Sequence, residues 1–244
     1  MPKRLPIIYA CGIHAVDALV NTGCAISILA EKNSSNPRVI RIKQRARALG
    51  LEVHLTSETE LTTLTGYRHH QGIAAAAKAP SNNLTDVISP PTASVVVLDG
   101  VDSPQNLGAI LRAARAFAVR AVIIPKHGAA PLSAATAKAA SGAAAQVSLI
   151  RVVNLKRALN EIRLAGFCIV GADENGDEKS FMNFPSPPLC WVFGGRKKGL
   201  RRLTRESCDF LLRIPTVSGD AGCLNVATAC AVCLAQGHIG LNFP

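Results

Sequence analysis

The C-terminal two thirds of the chain alternate short, wholly apolar runs with amphipathic stretches. The apolar runs predict strands at 94–98, 121–124, 147–152, 168–172, 190–193 and 210–214. Apolar residues at helical spacing predict helices at 103–118, 133–139, 155–165 and 225–236. Such an alternation is typical of an α/β fold with a parallel sheet covered on both faces. Ligands of such sheets bind beyond the carboxyl ends of the strands, so chemistry is expected there.

The N-terminal part has the pattern of a smaller α/β unit. Strands are predicted at 25–30, 51–55 and 72–79, the last after a polar turn, with helices at 13–20 and 37–49. Residues 80–93 contain three prolines among serine and asparagine, which indicates a connector of low hydrophobicity. We therefore predict a small domain at 1–79, a linker at 80–93 and a large domain at 94–244.

The amino-acid composition excludes several classes of protein. The 244 residues are 48% hydrophobic and 4% aromatic, which excludes intrinsic disorder. No apolar run approaches the roughly 20 residues of a membrane-spanning helix, and the N-terminus lacks a secretory pattern. A cytoplasmic protein without a membrane partner is expected, with its cysteines as thiols. Cys230 and Cys233 form a C-x-x-C pair in an apolar helix, where buried thiols are favoured over zinc, so no metal is predicted.

The net charge of +11 favours a polyanionic partner. Basic residues concentrate in the helix at 37–49 and in a segment at 196–205 that has six basic residues and no acid before Glu206. Each cluster has two interpretations, a solvated face or a surface that contacts phosphates. His69, His70 and the acidic stretch 173–178 are expected in solvated loops.

Three segments follow predicted strands. In the first, 98–112, Ser103 and Pro104 suit a helix start and are followed by Asn106 and Arg112. In the second, 192–202, two glycines after a buried strand allow close backbone approach. In the third, 214–227, a glycine-rich turn leads to Asn225, which suits a helix cap. Taken singly, these residues are equally explained as turn, surface or capping residues.

Taken together and in this order, the three segments resemble the motifs of the SpoU/TrmH family of RNA ribose 2′-O-methyltransferases. Ile8-Tyr9, residues 12–16 and residues 70–73 resemble the L30e-like substrate-binding domain of the branch that methylates guanosine in 23S ribosomal RNA. The resemblance covers nearly the whole chain. It implies a deep C-terminal trefoil knot of the SPOUT type, a homodimer, S-adenosyl-L-methionine as cofactor, and an RNA partner, ribosomal in preference to transfer RNA.

The resemblance also implies roles for six residues. Asn106, Arg112 and Asn225 match the catalytic positions, and the arginine is expected to act on the ribose 2′-hydroxyl or its phosphate. Gly194, Ile214 and Leu224 match positions that hold the cofactor.

The chain departs from the family pattern at three motif positions. Arg196 replaces the usual glutamate, and Cys223 and Ala227 replace two serines, while the stretch 214–225 is one residue longer than usual. Two hypotheses remain: an S-adenosylmethionine-dependent 2′-O-methyltransferase acting on structured RNA, or a weak or inactive relative that binds RNA or assists assembly. A nicotinamide-dependent oxidoreductase is disfavoured, because no G-x-G-x-x-G follows the first strand of the large domain. The target nucleotide does not follow from the residues themselves.

Overall fold

The protein contains two β-sheets, each covered by helices. The computed structural model describes residues 7–78, 80–140, 142–177, 188–195, 199–216 and 224–242. Within these ranges the larger sheet has six strands in the order β10-β8-β9-β5-β6-β7, all parallel. Its strands are β5 (Val95–Asp99), β6 (Ala121–Pro125), β7 (Ser148–Val152), β8 (Cys168–Asp177), β9 (Leu189–Gly194) and β10 (Phe210–Leu212). The predicted parallel sheet is confirmed.

The smaller sheet is mixed rather than parallel. It has the order β1-β4-β2-β3 and comprises β1 (Ile7–Cys11), β2 (Ala25–Glu31), β3 (Glu52–Thr56) and β4 (Ile73–Lys78). Strands β2 and β3 are parallel, whereas β4 is antiparallel to both β1 and β2. Helices α1 (Ile13–Asn21), α2 (Pro37–Ala48) and α3 (Glu58–Thr65) connect these strands.

Helices cover both faces of the larger sheet. They are α4 (Leu84–Ile88), α5 (Pro104–Ala116), α6 (Ala134–Ala140), α7 (Leu155–Leu164), α8 (Arg202–Arg205) and α9 (Val226–Asn242). Successive residues of β5 point to opposite faces, so Val96 and Leu98 pack with α5 and α9 while Val95 and Val97 pack with α4 and α7. This double burial explains why β5, β6 and β9 are apolar without alternation.

The region 80–93, predicted as a linker, contains helix α4. Leu84, Val87 and Ile88 of this helix are buried in the core of the larger sheet. A short 3-10 turn at Ala143–Ala145 makes a second connection between the two sheets, because Ala145 is buried in the core of the smaller one. The two units are therefore packed against each other at this turn, in addition to being joined along the chain through α4.

Two expectations about polar segments were wrong. His70 is only 2% exposed rather than solvated. The acidic residues 173–177 belong to β8 instead of a loop, and Asp173 forms an ion pair with Arg205 at 3.4 Å. Glu178 lies outside the described residues. Within the described ranges, no helix combines the length and the apolar character needed to cross a membrane.

Candidate active site

The carboxyl end of β5 meets the carboxyl end of β9 at the centre of the larger sheet. Asp99 is paired with Gly194, and the Gly195 N–H donates to the Asp99 carbonyl at 2.8 Å. A Cβ added to Gly194 would lie 2.1 Å from the carbonyl carbon of Gly199, and one added to Gly195 would lie 2.2 Å from the Gly100 oxygen. Glycine is required at both positions because other backbone segments fill the space a side chain would need.

The Asp99 carboxylate fixes the chain after this crossing. Its side chain is fully buried, and Oδ2 accepts the Arg201 backbone N–H at 2.9 Å. The Arg201 guanidinium forms an ion pair with Oδ1 and donates a hydrogen bond to it. A buried carboxylate needs such partners, since an unpaired charge in the interior is strongly destabilising. Sequence reasoning missed Asp99, although an acid at the end of an otherwise apolar strand was a signal.

Two helices begin beside this strand end. Helix α5 has Pro104 in its first turn, and the Ser103 hydroxyl accepts the Asn106 backbone N–H at 3.4 Å. Asn225 caps α9, since its Oδ1 accepts the Ala227 N–H at 2.8 Å. Both starts agree with the predicted caps and leave the two asparagine side chains at the carboxyl edge of the sheet.

The structure brings Asn106 and Asn225 into contact. The Asn225 side-chain N–H donates to the Asn106 Oδ1 at 3.1 Å, across 119 residues of sequence. The first and third segments singled out in the sequence thus meet through their asparagines. This hydrogen bond leaves the Asn106 amide N–H₂ free of protein partners among the described residues.

Arg112 lies two turns further along α5 and is exposed. Six residues of helix place it about 9 Å from Asn106 along the axis. Among the described residues it has neither an ion pair nor a hydrogen-bonded side-chain partner. The guanidinium is therefore available to an anionic or hydroxyl-bearing ligand, and the structure does not bring it into contact with the asparagine pair.

The remaining motif residues are only partly described. Ile214, two residues after β10, is half-buried and packs against the core beneath α5 and α9, and Leu224 is half-buried just before α9. Arg196 and Cys223 lie outside the described residues. Ala227 packs against the same core and contributes its backbone N–H to the Asn225 cap, a contact that needs no hydroxyl.

The second basic cluster is largely neutralised where it is described. Arg201 pairs with Asp99 and Arg205 with Asp173, and Arg202 forms an exposed pair with Glu206 at 2.7 Å. The sequence showed no acid inside the cluster because these carboxylates come from β5, β8 and the residue that follows α8. A free electropositive surface at 201–205 is therefore not observed.

Helix α2 retains most of its free charge. Only Arg45 of its five basic residues has an acidic partner in the described chain, Asp17 of α1. Arg38, Arg41 and Arg47 are exposed. A row of unpaired cations on one helix is suited to bind a phosphate backbone.

The two cysteines of the C-x-x-C pair are buried thiols. Cys230 and Cys233 are both 0% exposed within α9. Burial raises the pKa of the Cys233 thiol to about 12 and also raises the pKa of Cys230, so both remain protonated at neutral pH. A thiol held in this state is a poor metal ligand and nucleophile.

Known proteins resemble both units of the chain. A family model described as the SpoU rRNA Methylase family matches residues 93–235, and a second, described as RNA 2′-O ribose methyltransferase substrate binding, matches residues 9–82. The 23S rRNA (guanosine-2′-O-)-methyltransferase RlmB of Coxiella burnetii is 38% identical over 232 residues, covering 91% of this chain and 92% of its own. That of Photorhabdus laumondii is 39% identical over 235 residues, covering 93% and 95%.

Solved structures show the same fold at lower identity. The AdoMet-bound rRNA methyltransferase from Sinorhizobium meliloti has a TM-score of 0.72 at 24% identity and covers 96% of this chain and 88% of its own. AviRb from Streptomyces viridochromogenes in complex with AdoMet has a TM-score of 0.73 at 21% identity, covering 96% and 90%. The chain therefore belongs to the SpoU rRNA methylase family.

Proposed function

We propose that this protein transfers a methyl group from S-adenosylmethionine to a ribose 2′-hydroxyl of ribosomal RNA. The observation that carries the proposal is the hydrogen bond between Asn106 and Asn225, which joins the first and third motifs at the carboxyl edge of a parallel sheet. The names of the relatives favour a guanosine of 23S rRNA as the target.

The residues at this edge fit the cofactor by their donor chemistry. Main-chain groups at Gly194, Ile214 and Leu224 would hold the nucleoside, and the two aliphatic side chains would contact the adenine ring. The bound cofactor supplies a methyl group already activated by a sulfonium. The buried acid at this edge, Asp99, is already neutralised by Arg201.

The protein must place one ribose oxygen and assist the loss of its proton. Arginine stays charged in proteins, so Arg112 would not serve as an efficient base. Its guanidinium would instead bind the adjacent phosphate or the 2′-oxygen, and its positive charge would favour transfer of the 2′-hydroxyl proton to solvent water. The hydrogen-bonded asparagines keep the helix starts in fixed positions, and positioning of this kind lowers the barrier to an in-line transfer.

The small unit and the sheet edge would share the RNA. Arg38, Arg41 and Arg47 of α2 offer unpaired charges to phosphates. A cleft of about 490 Å³ at the carboxyl ends of β6 and β7 is lined by His127 and Lys156, among others. We propose the division into a small domain at 1–79, a connector at 80–93 and a catalytic domain at 94–244, because each of the two sheets packs around a hydrophobic core of its own.

The test is methyl transfer from tritiated S-adenosylmethionine to ribosomal RNA from cells that lack the gene. We expect Arg112→Ala to reduce the rate by about 10²-fold or more, in the range found when one charge-stabilising donor is removed. Arg157→Ala is the matched control, because it removes an exposed arginine from α7 without touching the motifs. Equal rates for wild type and Arg112→Ala would refute the proposed role.

The second candidate is a non-catalytic RNA-binding protein, favoured by Arg196, Cys223 and Ala227. Calorimetry distinguishes the two functions, since only the enzyme requires S-adenosylmethionine binding. RNA binding without cofactor binding would support the second candidate. Restoring glutamate at 196 and serine at 223 and 227 would then test whether these replacements are the cause.

Three finer features belong to the same proposal. A C-terminal trefoil knot is supported by the contacts of Gly195 and Arg201 with Asp99, together with the return of Asn225 to Asn106. A homodimer would place a second subunit near the exposed Arg112, and light scattering tests it. An enzyme of ribosomal RNA is expected to act in the cytoplasm.

A further inference from the structure

A cavity lies where the small unit meets the large one, outside the three motif segments. It has a volume of about 750 Å³, and we call it the junction cavity; its lining includes Tyr9, His14, Glu31, Tyr67, Arg68 and His69. Leu132, Gly142, Ala144 and Ala145 close it from the large unit. A nucleoside fits such a volume easily, since pockets for small ligands span roughly 300–1,000 Å³.

The two units are in close contact at the wall of the junction cavity. A Cβ on Gly142 would lie 2.6 Å from the Cβ of Ala15, so the two units touch there without an intervening side chain. Ala145 is buried in the core of the small unit. Closely packed backbone therefore holds the two units together at the floor of the cavity, and surface side chains form the rest of its lining.

The turn before β4 is also built rigidly. The His70 Nδ1 accepts the Gly72 N–H at 3.1 Å, and its Nε2 contacts the Thr62 hydroxyl at 3.2 Å. Gln71 adopts a φ of 56°, and its Oε1 accepts the Ile13 N–H at 2.9 Å. These contacts fix the turn from both sides and account for the burial of His70.

The rim carries rings that can stack. Both tyrosines of the chain, Tyr9 and Tyr67, line the cavity. Tyr67 meets the His69 ring edge to face, with centroids 5.7 Å apart. His14 and His69 are exposed. Aromatic and histidine rings are the surfaces on which proteins stack unpaired RNA bases.

The polar groups of the cavity select what can enter. Glu31 and Glu58 make no ion pair or side-chain hydrogen bond within the described residues, and the Glu31 carboxylate lies against the turn, 2.9 Å from the Cβ position of Gly72. Carboxylates repel phosphate but accept N–H donors. The Watson–Crick edge of guanine presents two such donors side by side, whereas uracil and adenine do not.

We propose that the junction cavity binds one unstacked guanine base of the RNA, stacked on Tyr67 or Tyr9 and hydrogen-bonded to Glu31, with Arg68 near its phosphate. This site rests on the proposed function only in that RNA is the ligand. It would give the small unit a base preference that the cationic face of α2 cannot supply, because phosphate contacts carry no sequence information.

The test is fluorine NMR on the full chain labelled with 3-fluorotyrosine, whose two resonances both report on the junction cavity. The probes are the single-stranded RNA pentamers UUGUU, UUAUU and UUUUU. We expect UUGUU to shift both resonances and to bind at least about fivefold more tightly than the other two, the lower limit for a bidentate base contact. Failure of UUGUU to shift either resonance would overturn the site, whether or not the RNA binds elsewhere.

The isosteric variant Glu31→Gln tests the assigned carboxylate. We expect it to abolish the preference for UUGUU over the other two pentamers, and we expect any gain in affinity from the lost negative charge to be the same for all three. Glu174→Gln is the control, since it removes an exposed acid from β8 outside the cavity. A retained preference in Glu31→Gln would refute the assignment. Calorimetry with S-adenosylmethionine on the same samples keeps the tests separate, because loss of cofactor binding bears on the proposed function alone.

Discussion

The pair formed by Asp99 and Arg201 predicts an unequal response to removal of its two members. The Asp99 side chain is 0% exposed, whereas that of Arg201 is 58% exposed. Arg201→Met leaves a buried carboxylate whose remaining partner is a backbone N–H, and breaking a buried pair in this way costs about 3–5 kcal/mol. Asp99→Asn removes the charge instead, and the arginine can turn into water, so the cost is about 1–3 kcal/mol.

The neighbouring arginine provides the control. The side chains of Arg202 and Glu206 are 77% and 53% exposed, so Arg202→Met should change the free energy of unfolding by less than about 0.5 kcal/mol. Equilibrium urea unfolding measures all three variants. Trp191, the single tryptophan, is buried on β9 and reports by fluorescence on the strand that ends at this crossing.

The order in which the three variants are destabilised tests the role of the pair formed by Asp99 and Arg201. If Arg201→Met were no more destabilising than Arg202→Met, the pair would not fix the chain after β9. If Asp99→Asn cost more than Arg201→Met, the reasoning from unequal burial would be wrong. A loss of cofactor affinity in Arg201→Met that exceeds the loss in Arg202→Met would further connect this pair with the geometry of the sheet edge.

Three other predictions follow from single contacts. Asn225→Ala should lower the free energy of unfolding by about 1 kcal/mol through the lost helix cap, and it should also weaken S-adenosylmethionine binding measured by calorimetry. Asn36→Ala removes the cap of α2 and should lower stability alone. Equal cofactor affinities in the two variants would contradict the role of Asn225. Arg41→Ala should reduce the slope of log affinity for RNA against log salt by about 0.7–0.9, and Arg157→Ala should leave it unchanged; a slope that Arg41→Ala does not alter would remove α2 from the RNA surface. The buried Cys233 thiol has its pKa raised from 9.0 to about 12, so its contribution to stability is complete below pH 9 and is lost as the pH rises towards 12. The free energy of unfolding is measured in urea at pH 8 and at pH 10.5, and its decrease should be about 2 kcal/mol smaller in Cys233→Ala than in the wild type. Equal decreases would show that the thiol does not resist ionisation.

The larger sheet was predictable because its strands are buried on both faces. A run such as Val95–Asp99 has no polar residue until its last position, and no other element accommodates it so well. The small unit was less predictable. The sequence does not predict β1. It predicts a polar turn where the structure has α3, because α3 buries only Leu61 and so lacks an apolar face. The sequence does not predict helix α4, because prolines and polar residues flank its short apolar pattern.

Individual residues of the candidate site could be predicted from the sequence, but the hydrogen bonds and ion pairs between them could not. Asn106 and Asn225 could be singled out only as capping or turn residues, and the hydrogen bond between them depends on the packing of α5 against α9. The neutralisation of Arg201 and Arg205 depends on carboxylates about 100 and about 30 residues away, which no local pattern reports. The burial of His70 does not follow from the local sequence, because its hydrogen-bond partners come from α3 and from its own turn.

The contact between Asn106 and Asn225 also has a consequence for the order of folding. A hydrogen bond across 119 residues forms only after a long stretch of chain has been confined, and the entropy of closing such a loop must be overcome before the contact returns any stability. On the ribosome, α5 and the first six strands emerge well before α9. The cofactor edge would therefore mature only once α9 has docked, and a nascent chain would be unable to bind S-adenosylmethionine before then.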